Sequence, residues 1–148
     1  NEGQTIFLNG ENVTNLIRTP EISMAASNVS AVPEVRVKMV EMQRKIASNL
    51  SCVLDGRDIG SYVLPNADFK FYIDASVDVR ADRRFKELAL KGHAVDFNEL
   101  KKEIEQRDYN DKHRDFSPLI QPEDAVYIDT SFMNIDQVMN KVLAVIKG

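Results

Sequence analysis

The sequence predicts an α/β protein built on a parallel sheet, and three stretches predict it. The first is the apolar run 50–54, which breaks into Asp55-Gly56-Arg57-Asp58-Ile59-Gly60. A short apolar run closed by a glycine turn reads as a buried strand of a parallel sheet. The second is the alternation of 67–75 around Phe69, Phe71 and Ile73, followed by Val77, Ala81, Phe85 and Leu88 at helical spacing. The third is the strand pattern 125–129, followed by Ile135, Val138, Val142, Val145 and Ile146 on one helical face. Strands that alternate with helices pair in parallel, because each helix carries the chain back across the sheet.

Length and charge narrow the class further. A chain of 148 residues with 43% hydrophobic content is long enough for one domain that buries roughly 70% of its unfolded surface. The formal charge of -4 argues against a nucleic-acid partner gripped through the overall field, although local arginines can still hold a phosphate. A small-molecule partner is expected. Cys52 is the only cysteine, so no disulfide forms within the chain; it reads as a small core side chain in a reducing cytoplasm. No apolar run approaches the roughly 18 residues that span a bilayer, and no basic region precedes a hydrophobic stretch near the start. A protein without a membrane partner, soluble and cytoplasmic, is the expectation. The first residue is Asn1, so the chain need not begin where its gene does.

The elements follow in order. Asn9-Gly10 between 5–8 and 11–13 predicts a small hairpin, because Asn-Gly supplies the positive φ angles of a type I′ turn. Thr19-Pro20 starts a helix with threonine as N-cap and proline in the first turn, and Ile22, Ala25, Ala26 and Val29 form its apolar stripe. Pro33 opens a second helix whose Val35, Met39, Met42 and Ile46 read as core. Ser76 caps the helix after 67–75, and Gly92 ends it in a left-handed position. Asp96 with Glu99 resembles a capping box for a further helix. The apolar content of that helix is thin, little beyond Phe97, Leu100 and Ile104, so it is expected to pack weakly and move. Ser117-Pro118 closes that segment. There is no internal repeat and no low-complexity tract, so the boundaries expected are those between lobes: 1–47, 48–92, 93–118 and 119–148.

Several constellations can carry chemistry. Arg57 and Asp58 lie just beyond the carboxyl end of the first predicted strand, where open α/β sheets bind ligands; a solvated turn with an ion pair would read the same way. Arg107, Asp111 and Arg114 are spaced four and three apart, which puts two guanidinium groups and a carboxylate on one helical face. A solvated ion-pair ladder has the same spacing. Ser27, Asn28 and Arg36 can hydrogen-bond the edge of a heterocycle, or can be ordinary surface residues. His93 and His113 have no metal-site spacing, so no protein metal ligands are expected. No serine sits in a nucleophile elbow. None of the six glycines, Gly3, Gly10, Gly56, Gly60, Gly92 and Gly148, belongs to a Gly-x-x-x-x-Gly-Lys-Ser/Thr loop.

Taken together, Ile17-Arg18-Thr19-Pro20-Glu21, Ala25-Ala26-Ser27 with Val29, Pro33-Glu34-Val35-Arg36, Asp55-Gly56-Arg57-Asp58-Ile59-Gly60 and Glu105-Gln106-Arg107-Asp108 ahead of Asp111 and Arg114 resemble bacterial cytidylate kinase in wording, order and gaps. That family are P-loop nucleoside monophosphate kinases, which move the γ-phosphoryl of ATP, with Mg2+, onto CMP or dCMP. The resemblance implies that Ser27, Arg36 and Asp58 recognise the cytosine. It implies that Arg57 lies near the substrate phosphate, that Asp111 meets a ribose hydroxyl, and that Arg107 and Arg114 serve phosphates or the ribose. Arg18 corresponds loosely to the monophosphate pocket; a solvent-facing residue at a helix entry is its other reading. Phosphoryl transfer needs position and positive charge rather than covalent chemistry, which suits an arginine-rich set.

The resemblance also implies a three-layer P-loop nucleoside monophosphate kinase-like parallel sheet, here incomplete, because the segment with the central P-loop strand would precede Asn1. Its absence would leave a gap of about 9.6 Å between the strand ending at Asp55 and the strand of 69–73. The chain by itself is then expected to be catalytically inactive. Either the missing segment is present elsewhere, or the remaining strands pair directly, or two chains complete each other by strand exchange, whereas the complete enzyme is expected to be a monomer. A non-catalytic pyrimidine-nucleotide binding module is the alternative, and a monophosphate kinase with another base preference ranks third.

Overall fold

The structure, a computed structural model, describes residues 5–148, with the side chains of Arg18 and Pro20 outside that description. It divides into two compact units, one ending at Lys45 and the other running from Ile46 to Gly148.

The first unit is a hairpin and two helices. Strands β1 (Phe7–Leu8) and β2 (Glu11–Asn12) pair antiparallel. Asn9 and Gly10 take φ of +51° and +86° between them, the left-handed pair that a type I′ turn requires. A 3-10 turn over Leu16–Arg18 leads into α1 (Pro20–Ser30), where the Thr19 hydroxyl accepts from the Ile22 amide at 3.3 Å. Helix α2 (Pro33–Ala47) follows. Here one expectation is corrected. Val40 is the buried residue of α2, whereas Met39, Met42, Val35 and Ile46 are exposed, as are Ile22 and Val29 of α1. Helical spacing shows that these side chains share a face; it does not supply the surface that would cover the face.

The second unit holds the parallel pair. Strands β3 (Phe71–Asp74) and β4 (Val126–Asp129) align Phe71 with Val126 through Asp74 with Asp129. Tyr72 stacks on Tyr127 across the pair, with ring centroids 6.1 Å apart. Between the strands run α3 (Val77–Leu90) and α4 (Phe97–His113), and α5 (Ile135–Lys147) follows β4. Local chemistry ends these helices as anticipated. The Ser76 hydroxyl caps α3, and Asp96 accepts from the amides of Asn98 and Glu99, the Asp96 half of the expected capping box. Gly92, at φ +78°, donates to the Ala89 carbonyl while His93 donates to that of Leu88, the paired bonds of a Schellman cap. Asn134 and Gln137 form a full capping box on α5, a signal legible in the sequence as Asn-x-x-Gln.

Three expectations for this unit are revised. The run 50–54 is not a strand among the described residues: it carries no sheet assignment, Val53 is 98% exposed, and Cys52 is exposed rather than a core side chain. A strand exists only when a neighbour takes its amides and carbonyls, and β4 occupies one edge of β3 while no described strand lies on the other. The second predicted strand shortens from 67–75 to the four residues that β4 can pair. Helix α4 is also better anchored than its few apolar residues implied. Leu100 is buried, and the Phe97 ring meets Phe85 edge-on at 5.8 Å. Arg80 binds Asp108 through both guanidinium ends at 2.6 and 3.0 Å, and Lys101 pairs with Asp78.

Tyr72 offers a test of this packing. Burial, and next the carboxylates of Asp74 and Asp108, raise its phenol above the ordinary 10.0. The folded state therefore holds this proton more tightly than the unfolded state. The associated stability is present below the unfolded pKa, about 10, and is lost as pH rises through the folded value. In an ultraviolet titration, Tyr72→Phe should remove a tyrosinate component that develops above pH 10; an unchanged curve above that pH would contradict the packing described.

Candidate functional site

The site grows from a backbone device at Asp58. Residues Ile59–Val63 form a single π-turn, a rare geometry that recurs at functional positions. The Asp58 carbonyl accepts from the amides of Tyr62 at 2.9 Å and Val63 at 3.1 Å, and Val63 is fully buried. Gly56 leaves room just before the turn, since a Cβ there would stand 2.9 Å from Ile59 Cγ1 and the isoleucine side chain would have to shift. Asp58 is thereby held with only 5% of its surface exposed.

Helix α4 brings the second half. Arg80 also donates from Nε to the Ala75 carbonyl at 2.9 Å, so the Arg80–Asp108 pair ties α4 to the carboxyl end of β3 and sets the turn that carries Arg107 and Asp111. Asp111, 7% exposed, is the centre of a cationic ring. Arg57 Nε donates to its Oδ2 at 2.9 Å, Arg107 Nε stands 4.0 Å from the same oxygen, and Arg114 Nη1 lies 3.7 Å from Oδ1. Arg114 Nη2 is 3.9 Å from Asp58 Oδ2, and the Ser117 hydroxyl donates to that oxygen at 2.6 Å. Beyond α4 the chain is pinned back, with Leu119 N donating to the Asp111 carbonyl at 2.7 Å.

The charges are unequal in access. The side chains of Arg57 and Arg107 are 46% and 47% exposed, whereas those of Arg114, Asp111 and Asp58 are 11% or less. Three guanidinium groups against two carboxylates leave one net positive charge. Two of the three cations face solvent with planar, multiply donating heads. Such a cluster can accept a small anion beside a buried carboxylate that presents acceptors only.

Sequence reasoning anticipated Arg57, Asp58, Arg107, Asp111 and Arg114, and these five converge although up to 57 positions separate them. The helix that was to carry the last three stops at His113, and Arg114 is its extended C-cap. Ser27 and Arg36 belong to the first unit, at the corner between α1 and α2. There Ser30 Oγ donates to the Ser27 carbonyl at 2.8 Å, and Arg36 Nη1 donates to the Ser30 carbonyl at 3.3 Å. The Arg18 side chain lies outside the described residues. A shallow groove of about 550 Å3 along α2, lined by Pro33, Glu34, Val37, Lys38 and Glu41, includes none of these residues. Sequence reasoning missed Ser117, Arg80 and Asp108. In the sequence Ser117 marks only the end of a segment, and no spacing rule links it to a carboxylate 59 residues away.

The fold is α/β and its site gathers three arginines around two buried carboxylates; comparison with known proteins gives the family. The family model for cytidylate kinase matches residues 1–148. A cytidylate kinase of Caldicellulosiruptor bescii is 49% identical over 140 residues, covering 95% of this chain and 62% of that protein. That of Ligilactobacillus salivarius is 49% identical over 144 residues, 97% of this chain and 64% of the relative. One from Streptococcus pneumoniae is 49% identical over 141 residues, 95% and 63% respectively. The chain belongs to the cytidylate kinase family, and it spans a little under two thirds of the length of these curated relatives.

Proposed function

We propose that this chain carries the monophosphate-binding and lid parts of a nucleoside monophosphate kinase that transfers the γ-phosphoryl of ATP to CMP or dCMP. The observation that carries the reading is the convergence of Arg57 and Asp58 with Arg107, Asp111 and Arg114 in a chain 49% identical to proteins named cytidylate kinase. We assign Asp58, with Ser27 and Arg36 of the first unit, to the cytosine ring. Arg57, Arg107 and Arg114 take the phosphate as it accumulates charge, Asp111 takes a ribose hydroxyl, and Arg18 is assigned to the monophosphate. The two half-exposed guanidinium groups can leave Asp111 for a phosphate, while Arg114 stays buried beside both carboxylates. Positioned positive charge of this kind is the principal contribution a protein makes to phosphoryl transfer.

The residues present do not fit the donor side. None of the six glycines lies in a Gly-x-x-x-x-Gly-Lys-Ser/Thr sequence, the motif that cradles donor phosphates in P-loop enzymes. We therefore assign ATP and Mg2+ to the part of the relatives that this chain does not span, and this polypeptide alone to an inactive state. The open edge of β3 and the bare apolar run at Val53 support a larger parallel sheet of the P-loop kinase type, with a further strand between them. The lobes are proposed at 1–47, 48–92, 93–118 and 119–148. A cytoplasmic monomer fits the family; no described helix is long and apolar enough to cross a membrane.

The test is phosphoryl transfer by the full-length gene product with Mg-ATP and CMP, dCMP or UMP, beside the 148-residue chain by itself. CDP and dCDP should form far faster than UDP with the gene product, and no CDP above background with the chain. Preference for UMP would refute the substrate assignment, and turnover that tracks the isolated polypeptide would refute its inactivity. Calorimetric binding of CMP over UMP to a gene product that makes no CDP would favour a non-catalytic binding module instead.

A further inference from the structure

Ser117 is the one non-glycine residue besides Asn9 with a positive φ among the described residues, at +52°. It is neither glycine nor asparagine, and it precedes Pro118, which normally drives its predecessor toward extended backbone. A left-handed serine there is a strained choice, and strain of this kind persists where surrounding contacts over-determine it. The contacts are on both sides of the residue. Its hydroxyl donates to Asp58 Oδ2 at 2.6 Å, and its carbonyl accepts from Arg114 Nε at 2.5 Å. Phe116, next to it, meets Tyr62 of the π-turn edge-on at 5.2 Å. The left-handed bend thus aims one residue's donor at the buried carboxylate and its acceptor at the buried arginine.

We propose that Ser117 is a positioning residue for pyrimidine selection, fixing the plane of the Asp58 carboxylate and coupling it to Arg114. The inference rests on the assignment of Asp58 to the base. A carboxylate is an acceptor only, so it rewards the exocyclic amine of cytosine and repels the carbonyl that uracil presents at the same place. That discrimination depends on where the oxygens point. Ser117 holds one of them with a short hydroxyl bond while its carbonyl keeps Arg114, 3.9 Å from the same oxygen, from turning away. When the lid segment that carries Ser117 shifts, the base reader and the phosphate-side arginine shift together.

The test compares Ser117→Gly, Ser117→Asn and Asp58→Ala in the full-length gene product, measured as kcat/KM for CMP and for UMP. Glycine removes the hydroxyl without straining a left-handed φ, and asparagine tolerates that φ and keeps a side-chain donor. Ser117→Gly should lower the CMP-to-UMP ratio roughly tenfold, the loss of one hydrogen bond to a charged acceptor. The change should appear mainly in KM for CMP, and Ser117→Asn should retain more of the ratio than Ser117→Gly. An equal fall for both nucleotides, or an unchanged ratio while Asp58→Ala abolishes it, overturns the role of Ser117 and leaves the base assignment standing. An unchanged ratio in Asp58→Ala overturns the base assignment itself. Should Ser117→Gly fail to fold, Ser117→Ala takes its place under the same criteria.

Discussion

Asp111→Ala should lower kcat/KM for CMP in the full-length gene product on the order of 10²-fold, about 3 kcal/mol of transition-state stabilisation. The reason is the ring of cations around this carboxylate. Arg57 and Arg107 are about half exposed, and in the variant they can turn into water at modest cost. Arg114 cannot: its side chain is 11% exposed and lies 3.7 Å from Asp111 Oδ1, so removal of the carboxylate takes one of two nearby counter-charges from a buried cation. Arg114 then draws toward Asp58, 3.9 Å away, and the geometry proposed for the phosphate and ribose contacts is lost. The same variant should show a lower thermal midpoint, because breaking one side of a buried ion pair leaves its partner uncompensated. Asp111→Asn keeps the shape and one acceptor and should recover part of the stability but little of the turnover. Turnover within twofold of the parent in Asp111→Ala would remove this residue from the site.

Asp58→Asn should have its largest effect on choice of base. The substitution preserves volume and replaces half of an acceptor-only group with an amide that donates. Cytosine then loses an acceptor for its amine, while the uracil carbonyl gains a donor. Sites built around a buried polar contact discriminate strongly because the mismatched group is left unpaired. We expect kcat/KM for CMP to fall on the order of 10²-fold while that for UMP is maintained or rises. The fold should survive, since the backbone of Asp58 is held by the amides of Tyr62 and Val63 independently of its side chain. Parallel falls for CMP and UMP would mean that this carboxylate supports the structure without reading the base.

Both effects depend on a clamp outside the arginine–carboxylate cluster. Arg80 spans from the Ala75 carbonyl to Asp108 and so sets the turn of α4 on which Arg107 and Asp111 stand. The thin apolar stripe of that helix misled the expectation of weak packing, because the hydrophobic pattern does not register a bidentate guanidinium–carboxylate pair. The exposed apolar face of α2 is the converse case. Periodicity reports which side chains line up along a helix, and it is silent about whether another surface lies against them.

What the sequence determined by itself is chemistry that acts within a few residues or along one helical face. The Asn9-Gly10 turn, the caps at Thr19, Ser76 and Asp96, the Gly92 stop, and the alignment of Arg107 with Asp111 are all settled by covalent neighbours, because the groups that satisfy one another lie within a turn or two. The family, too, is legible as words in order along the chain. Only the tertiary structure decided that 50–54 runs unpaired and bare, since a strand is completed by a partner remote in sequence. It alone joined Ser117 to Asp58 and Arg57 to Asp111, across 59 and 54 residues, because a hydrogen bond that closes so long a loop depends on the packing of everything between its ends.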